Sequence, residues 1–225
     1  MDSKQLILSP SLLSCPFDKI GWGIDTIKKS GAPWVHFDVM DGVFVPPITF
    51  GAQMVKNCRP LCDLFYDVHL MVVNPENQIK QFIDAGANSI TFHYEAKPDF
   101  IPLIQDIKDY NSDVKVGVAI NPDTCVEFIG NGLTKLDMVL VMSVFPGYAG
   151  QRFIFNSVEK VKKLVEMRNR RGLSFLISVD GGIDISIANL LRNVGADVVI
   201  SGNSFFAYDD KEHFVTSIKD GVNHG

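Results

Sequence analysis

In Val35-His36-Phe37-Asp38-Val39-Met40, apolar residues alternate with residues able to do chemistry, and the alternation returns in Asp67-Val68-His69-Leu70-Met71. The two-residue period of a strand puts His36, Asp38 and Met40 on one face, with Val35, Phe37 and Val39 on the other. Asp67, His69 and Met71 likewise share a face against Val68 and Leu70. A third run, Ser178-Val179-Asp180-Gly181-Gly182, ends in a carboxylate beside glycines that let the backbone approach a ligand. The imidazoles of His36 and His69 and the carboxylates of Asp38 and Asp180 form a mixed nitrogen and oxygen set. Such a set suits one divalent ion, zinc first, with iron(II) or manganese as alternatives, and leaves room for substrate oxygens. Either histidine taken alone also fits a hydrogen-bonded core residue; the combination with two aspartates favours a site.

A set drawn from three runs needs a scaffold that brings strand ends together. Eight short β-branched runs recur, at 6–9, 34–40, 64–71, 89–93, 115–120, 138–143, 174–180 and 198–201. The segments between them read as helices, because apolar residues return every three or four positions, as in Val158, Val161, Leu164 and Val165. This alternation predicts βα units and a parallel sheet. Eight units predict closure into an α/β fold of the (β/α)8 TIM-barrel type, one domain over residues 1–225. Gly31, Gly86 and Gly195 each stand where a left-handed residue ends a helix before the next strand. An open doubly wound sheet would call for a glycine-rich dinucleotide loop after the first strand, where Ser9-Pro10-Ser11-Leu12 stands instead. In a barrel, active sites lie at the C-terminal strand ends, which gives polar residues there a functional meaning.

Composition removes other classes. With 46% apolar and 21% charged residues the chain is expected to fold rather than stay disordered. A net charge of -5 argues against a nucleic-acid partner, and the longest basic run, Arg168-Asn169-Arg170-Arg171, reads as a solvated helix end. No run of eighteen apolar residues and no signal-peptide pattern is present, so neither a membrane span nor export is expected and the cytoplasm is the predicted compartment. Cys15, Cys58, Cys62 and Cys125 include no CxxC pair and are read as free thiols, with Cys58 and Cys62 packing rather than binding metal.

Ordered along the chain, His36-Phe37-Asp38-Val39-Met40-Asp41-Gly42-Val43-Phe44-Val45-Pro46, Asp67-Val68-His69-Leu70-Met71-Val72, Val141-Met142-Ser143-Val144-Phe145-Pro146-Gly147 and Val179-Asp180-Gly181-Gly182-Ile183 closely resemble the ribulose-phosphate 3-epimerase family. Ser9-Pro10-Ser11-Leu12-Leu13, Phe92-His93-Tyr94-Glu95 and Asn121-Pro122-Asp123-Thr124 extend the resemblance over nearly the whole chain. It implies that His36, Asp38, His69 and Asp180 bind the metal, and that Asp38 and Asp180 double as acid and base on opposite faces of the sugar. Met40, Met71 and Met142 would be the family's methionine cluster against a planar intermediate, although core filling accounts for any one of them. Ser9 would be the substrate hydroxyl contact, with a helix N-cap as the other reading.

The same resemblance makes Pro146-Gly147-Tyr148-Ala149-Gly150-Gln151 a lid, or else a plain surface loop, with Gly147 and Gly150 near substrate. The amides near Gly181, Gly182, Gly202 and Asn203 would hold the phosphate. Inverting a carbon beside a carbonyl needs proton removal on one face and return on the other, which two carboxylates can do without an organic cofactor. The expected substrate is D-ribulose 5-phosphate, converted to D-xylulose 5-phosphate by a homo-oligomer. Three features depart from the family pattern: Pro46-Pro47 stands for Pro-Asn, Gly202-Asn203 for Gly-Ser or Gly-Thr, and Ala149 for a glycine. Ala149 is shared with allulose-6-phosphate 3-epimerases, so a ketohexose phosphate is the alternative substrate. A sugar-phosphate decarboxylase would require lysine where Met40 stands, and a barrel that only binds sugar phosphates would be marked by loss of a ligand or an aspartate.

Overall fold

A computed structural model describes residues 5–221. The β-branched runs form eight strands: β1 (Ile7–Pro10), β2 (Trp34–Met40), β3 (Phe65–Met71), β4 (Ser89–His93), β5 (Lys115–Ile120), β6 (Met138–Met142), β7 (Leu176–Asp180) and β8 (Val198–Ser201). All pair in parallel in the order β1-β8-β7-β6-β5-β4-β3-β2, and a single parallel bridge between Ser11 and His36 closes the ring. The predicted barrel is therefore present, with strand ends within two residues of the sequence reading.

Outside the ring lie α1 (Ile20–Lys29), α2 (Ala52–Cys58), α3 (Ile79–Asp84), α4 (Ile101–Tyr110), α5 (Asn156–Arg170), α6 (Ile185–Val194), α7 (Asn203–Ala207) and α8 (Lys211–Asp220). The expectation of a helix in every connection fails between β5 and β6, which are joined through one 3-10 turn, Val126–Ile129. Pro122 and the glycines at 130 and 132 surround a segment too short and too poor in helix formers to sustain an α-helix. Gly31, Gly86 and Gly195 do take positive φ, at 79°, 95° and 100°, as helix-ending residues.

Alternation along the strands sorts two cores. Val35, Phe37 and Val39 of β2, Tyr66, Val68 and Leu70 of β3, and Val139 and Val141 of β6 pack outward with Ile24, Ile27, Leu103 and Leu164 of the helices. The inward set is divided by chemistry. Ser9, His36, Asp38, Asp67, His69, Ser89, Thr91, His93 and Ser178 are buried polar residues from β1 to β4 and β7. Ala119, Leu140, Met142 and Ile200 form an apolar cluster from β5, β6 and β8. A buried polar half survives only if it is internally paired or filled by a bound group.

Arg168 corrects the reading of the basic run as solvated. Its guanidinium donates to Asp197 Oδ2 at 2.6 Å and to the Phe175 carbonyl at 2.9 Å, tying α5 to β7 and β8, while Arg170 and Arg171 are exposed. Cys58 and Cys62 are buried free thiols, with Cys62 Sγ 3.6 Å from the Tyr66 hydroxyl, so packing describes them.

Candidate active site

β2 and β3 run in register, with His36 beside Asp67, Asp38 beside His69 and Met40 beside Met71, so each strand's inward residues stand level with the other's. β7 brings Asp180 to the same mouth. One ligand-capable atom from each of His36, Asp38, His69 and Asp180 lies within 4.8 Å of the others. His36 Nε2 is 3.3 Å and His69 Nδ1 3.2 Å from Asp38 Oδ1, and His69 Nδ1 is 3.9 Å from Asp180 Oδ2. This buried cluster can bind a metal.

Fit to a cation follows from the other atoms of the same rings. His36 Nδ1 lies 2.7 Å from Asp67 Oδ2, so with that nitrogen donating, Nε2 presents a lone pair towards the ligand cluster. Nε2 is buried and has no hydrogen-bond partner. Asp67 is held in turn by the Ser89 hydroxyl at 2.5 Å, and Asp38 Oδ2 accepts from the Ser11 hydroxyl at 2.5 Å. Three carboxylates, Asp38 and Asp67 buried and Asp180 partly so, thus converge on two imidazoles, and among the described residues no Lys or Arg lines the cavity above them. A divalent ion answers that surplus of negative charge.

The titration behaviour expresses the same surplus. Burial disfavours an imidazolium at His36, yet Asp38 and Asp67 outweigh it and hold the ring well above the ordinary histidine range. Burial alone would raise Asp38, but His36 and His69 keep it below the usual carboxylate range. Burial, helped by the Asp38 charge, pushes Asp180 up to about 7. His69, desolvated and beside His93, falls to about 4.

Above the cluster opens a cavity of about 250 Å³, the scale of a small metabolite rather than a dinucleotide. Asp38, Met40, Met71, Met142 and Asp180 line its floor; Gly147, Gly150, Gly181, Gly182, Gly202 and Asn203 line its rim. His36 and His69 stand in the wall beneath, fully buried. Gly182 has φ 65°, and a Cβ there would lie 2.6 Å from the Phe153 amide nitrogen, so the corner admits only glycine. The Ser143 hydroxyl holds the same corner by donating to the Asp180 and Gly181 carbonyls at 2.8 and 2.7 Å. In the 146–151 segment, Gln151 Nε2 donates to the Phe145 and Tyr148 carbonyls at 2.7 and 2.9 Å, while the Tyr148 ring is exposed.

Ser9 is not brought to the cavity. It lies in the barrel interior beside Ile200, fully buried, and Ser11 lines the cavity instead. The two share a strand face, and two residues of strand advance about 7 Å, so Ser9 sits one layer below the mouth. The N-cap alternative also passes to Ser11, whose Oγ accepts from the Leu13 amide at 3.2 Å. Sequence reasoning assigned no role to Asp67, although it had placed this residue on the face of His69. It left His93 and Glu95 unassigned as well, although the period of two in Ser89-Ile90-Thr91-Phe92-His93 turns His93 inward with Thr91.

The profile of the ribulose-phosphate 3 epimerase family matches residues 7–206. A ribulose-phosphate 3-epimerase of Treponema pallidum (strain Nichols) is 44% identical over 204 residues, covering 91% of this chain and 93% of the relative. One of Bacillus subtilis (strain 168) is 39% identical over 213 residues, covering 94% and 97%. Among solved structures, KGPDC from Streptococcus mutans superposes with a TM-score of 0.70 at 19% identity over 97% of both chains, a likeness of fold alone.

Proposed function

The chain belongs to the ribulose-phosphate 3-epimerase family, and from that membership we propose that it interconverts D-ribulose 5-phosphate and D-xylulose 5-phosphate by inverting C3. The observation that carries the reading is the meeting of Asp38 and Asp180 on one cavity floor, within the same cluster as His36 and His69. One carboxylate takes the C3 proton from one face of the sugar, and the other, entering as its acid form, delivers a proton to the opposite face. The roles exchange in the reverse direction, so no oxidant or organic cofactor enters the balance. His36, Asp38, His69 and Asp180 would hold a divalent ion, zinc by preference with iron(II) or manganese as alternatives, which when bound would supply Lewis-acid stabilisation of the charge that develops on the substrate's oxygens. Met40, Met71 and Met142 pack against the flattened sugar and keep water from it, and the Ser11 hydroxyl fixes the orientation of Asp38. Backbone amides near Gly182, Gly202 and Asn203 receive the phosphate, while the 146–151 segment closes above it.

Three substrates test this in one assay of epimerisation and of C3 deuterium uptake from solvent: D-ribulose 5-phosphate, D-allulose 6-phosphate and unphosphorylated D-ribulose. The pentose phosphate is expected to turn over fastest and the free sugar at least ~10²-fold less efficiently, because the amide contacts are lost. Faster turnover of the hexose phosphate would move the substrate assignment, and binding without proton exchange would reduce the protein to a sugar-phosphate carrier.

The same reading places the enzyme in the cytoplasm; no helix among the described residues is long and apolar enough to cross a membrane. It also makes the enzyme an assembly of identical chains, supported by the exposed Phe17 and Trp22 rings. Sedimentation is expected to show a multiple of 24.9 kDa, and a profile with only the single-chain mass would end that expectation.

A further inference from the structure

Two motifs have no part in the reaction as described so far: the β4 end with His93 and Glu95, and the 121–124 turn after β5. The structure joins them. His69 Nε2 lies 2.8 Å from His93 Nε2, the rings stacked with centroids 5.0 Å apart. His93 Nδ1 lies 3.1 Å from Glu95 Oε2. Glu95 Oε1 accepts from the Asn121 amide at 2.8 Å and from the Thr124 hydroxyl. The buried Lys160 of α5 then holds the turn itself, donating to the Asn121 and Thr124 carbonyls at 2.6 and 2.7 Å.

We propose that Glu95 and His93 are positioning residues that select the ligand tautomer of His69, a relay from the 121–124 turn to the metal-facing nitrogen. This rests on the reading of His69 as a metal ligand. For Nδ1 of His69 to present a lone pair beside Asp38 and Asp180, its proton must sit on Nε2 and point at His93. His93 Nε2 must then accept, so the His93 proton sits on Nδ1 and points at Glu95. Glu95 Oε2 can accept it because both donors of the turn are directed at Oε1. Every hydrogen bond in the row has one direction, set by a carboxylate at the far end. The arrangement parallels that at His36, where Asp67 performs the same task by direct contact. His69 has no carboxylate on its outer nitrogen, and His93 extends the reach of one.

Glu95→Gln is the discriminating variant, since it keeps the shape while reversing the row. The amide oxygen stays with the Asn121 and Thr124 donors, so the amide NH2 faces His93 and demands an acceptor at Nδ1. The His93 proton moves to Nε2, the Nε2 of His69 must accept it, and the His69 proton is driven onto Nδ1. Zn2+ affinity, measured by chelator competition on the apo-protein, is expected to fall 10- to 100-fold in Glu95→Gln with little change in Tm. Thr124→Val removes one support of Glu95 but leaves its charge, and is expected to bind Zn2+ within about threefold of the wild type. In the Zn2+-loaded wild type, 15N spectra of labelled histidine should place the His93 proton on Nδ1.

Wild-type affinity in Glu95→Gln, equal losses in Glu95→Gln and Thr124→Val, or a His93 proton on Nε2 would each overturn the relay. Should Glu95→Gln not fold, the His93 tautomer in the loaded wild type still decides. If His69→Ala binds Zn2+ as tightly as the wild type, it is the metal-site reading that fails.

Discussion

Asp180→Asn is expected to lower epimerisation by about 10³-fold, some 4 kcal/mol of transition-state stabilisation, in a protein that still folds. The amide matches the carboxylate in volume, and the bonds that hold the β7 corner run from Ser143 to the backbone carbonyls of Asp180 and Gly181, which the substitution leaves in place. What is lost is a proton acceptor on one face of the sugar. Asp38 still serves the other face, so the metal-loaded variant should exchange the C3 proton of one epimer with deuterated solvent without converting it. Asp38→Asn should show the opposite preference. Proton exchange and epimer ratio read by NMR separate these outcomes, and ordinary interconversion by either metal-loaded variant would refute the two-base mechanism.

His69→Ala is expected to cost both metal and turnover, with bound metal per chain falling well below one and epimerisation following it down by more than 10²-fold. His69 is fully buried, and its two ring nitrogens join groups that do not otherwise meet, Asp38 on one side and His93 on the other. Removing the ring leaves His93 Nε2 without its partner and takes one nitrogen from the ligand set, which an alanine methyl cannot replace. Metal analysis alongside turnover checks this. Full occupancy with ordinary turnover would take His69 out of the ligand set.

Much of this was legible in the chain because period and chemistry coincided. From His36 onward in β2 and from Asp67 onward in β3 each inward position is polar or Met and each outward position apolar, so His36, Asp38, Asp67 and His69 could be assigned to one face before any coordinates. Asp180 announced itself as the last polar residue before a glycine pair. Ser9 went astray because Ser9 and Ser11 share both residue type and face; only the length of β1 decides which one reaches the mouth. The relay was unreadable for a different reason. Glu95 lies beyond the end of β4, where alternation no longer fixes direction, and its donors come from a turn 26 residues away that no period marks. Arg168 shows the same limit, since a basic run looks solvated until Asp197 is found beside it.

The closure of the ring has a consequence for how the barrel bears load. Seven of its eight seams are ladders of three or more register pairs, whereas the backbones at the β1–β2 seam, though packed side by side, are bridged among the described residues only at Ser11–His36. Both halves of that bridge belong to the site: Ser11 fastens Asp38, and His36 turns its Nε2 to the cluster. Opening of the cylinder is expected to be easiest at that joint, and a cation held as proposed by His36, Asp38, His69 and Asp180 would tie β2 and β3 to β7 across it and oppose that opening. On the proposed reading, the reactive centre and the lock of the cylinder are one object.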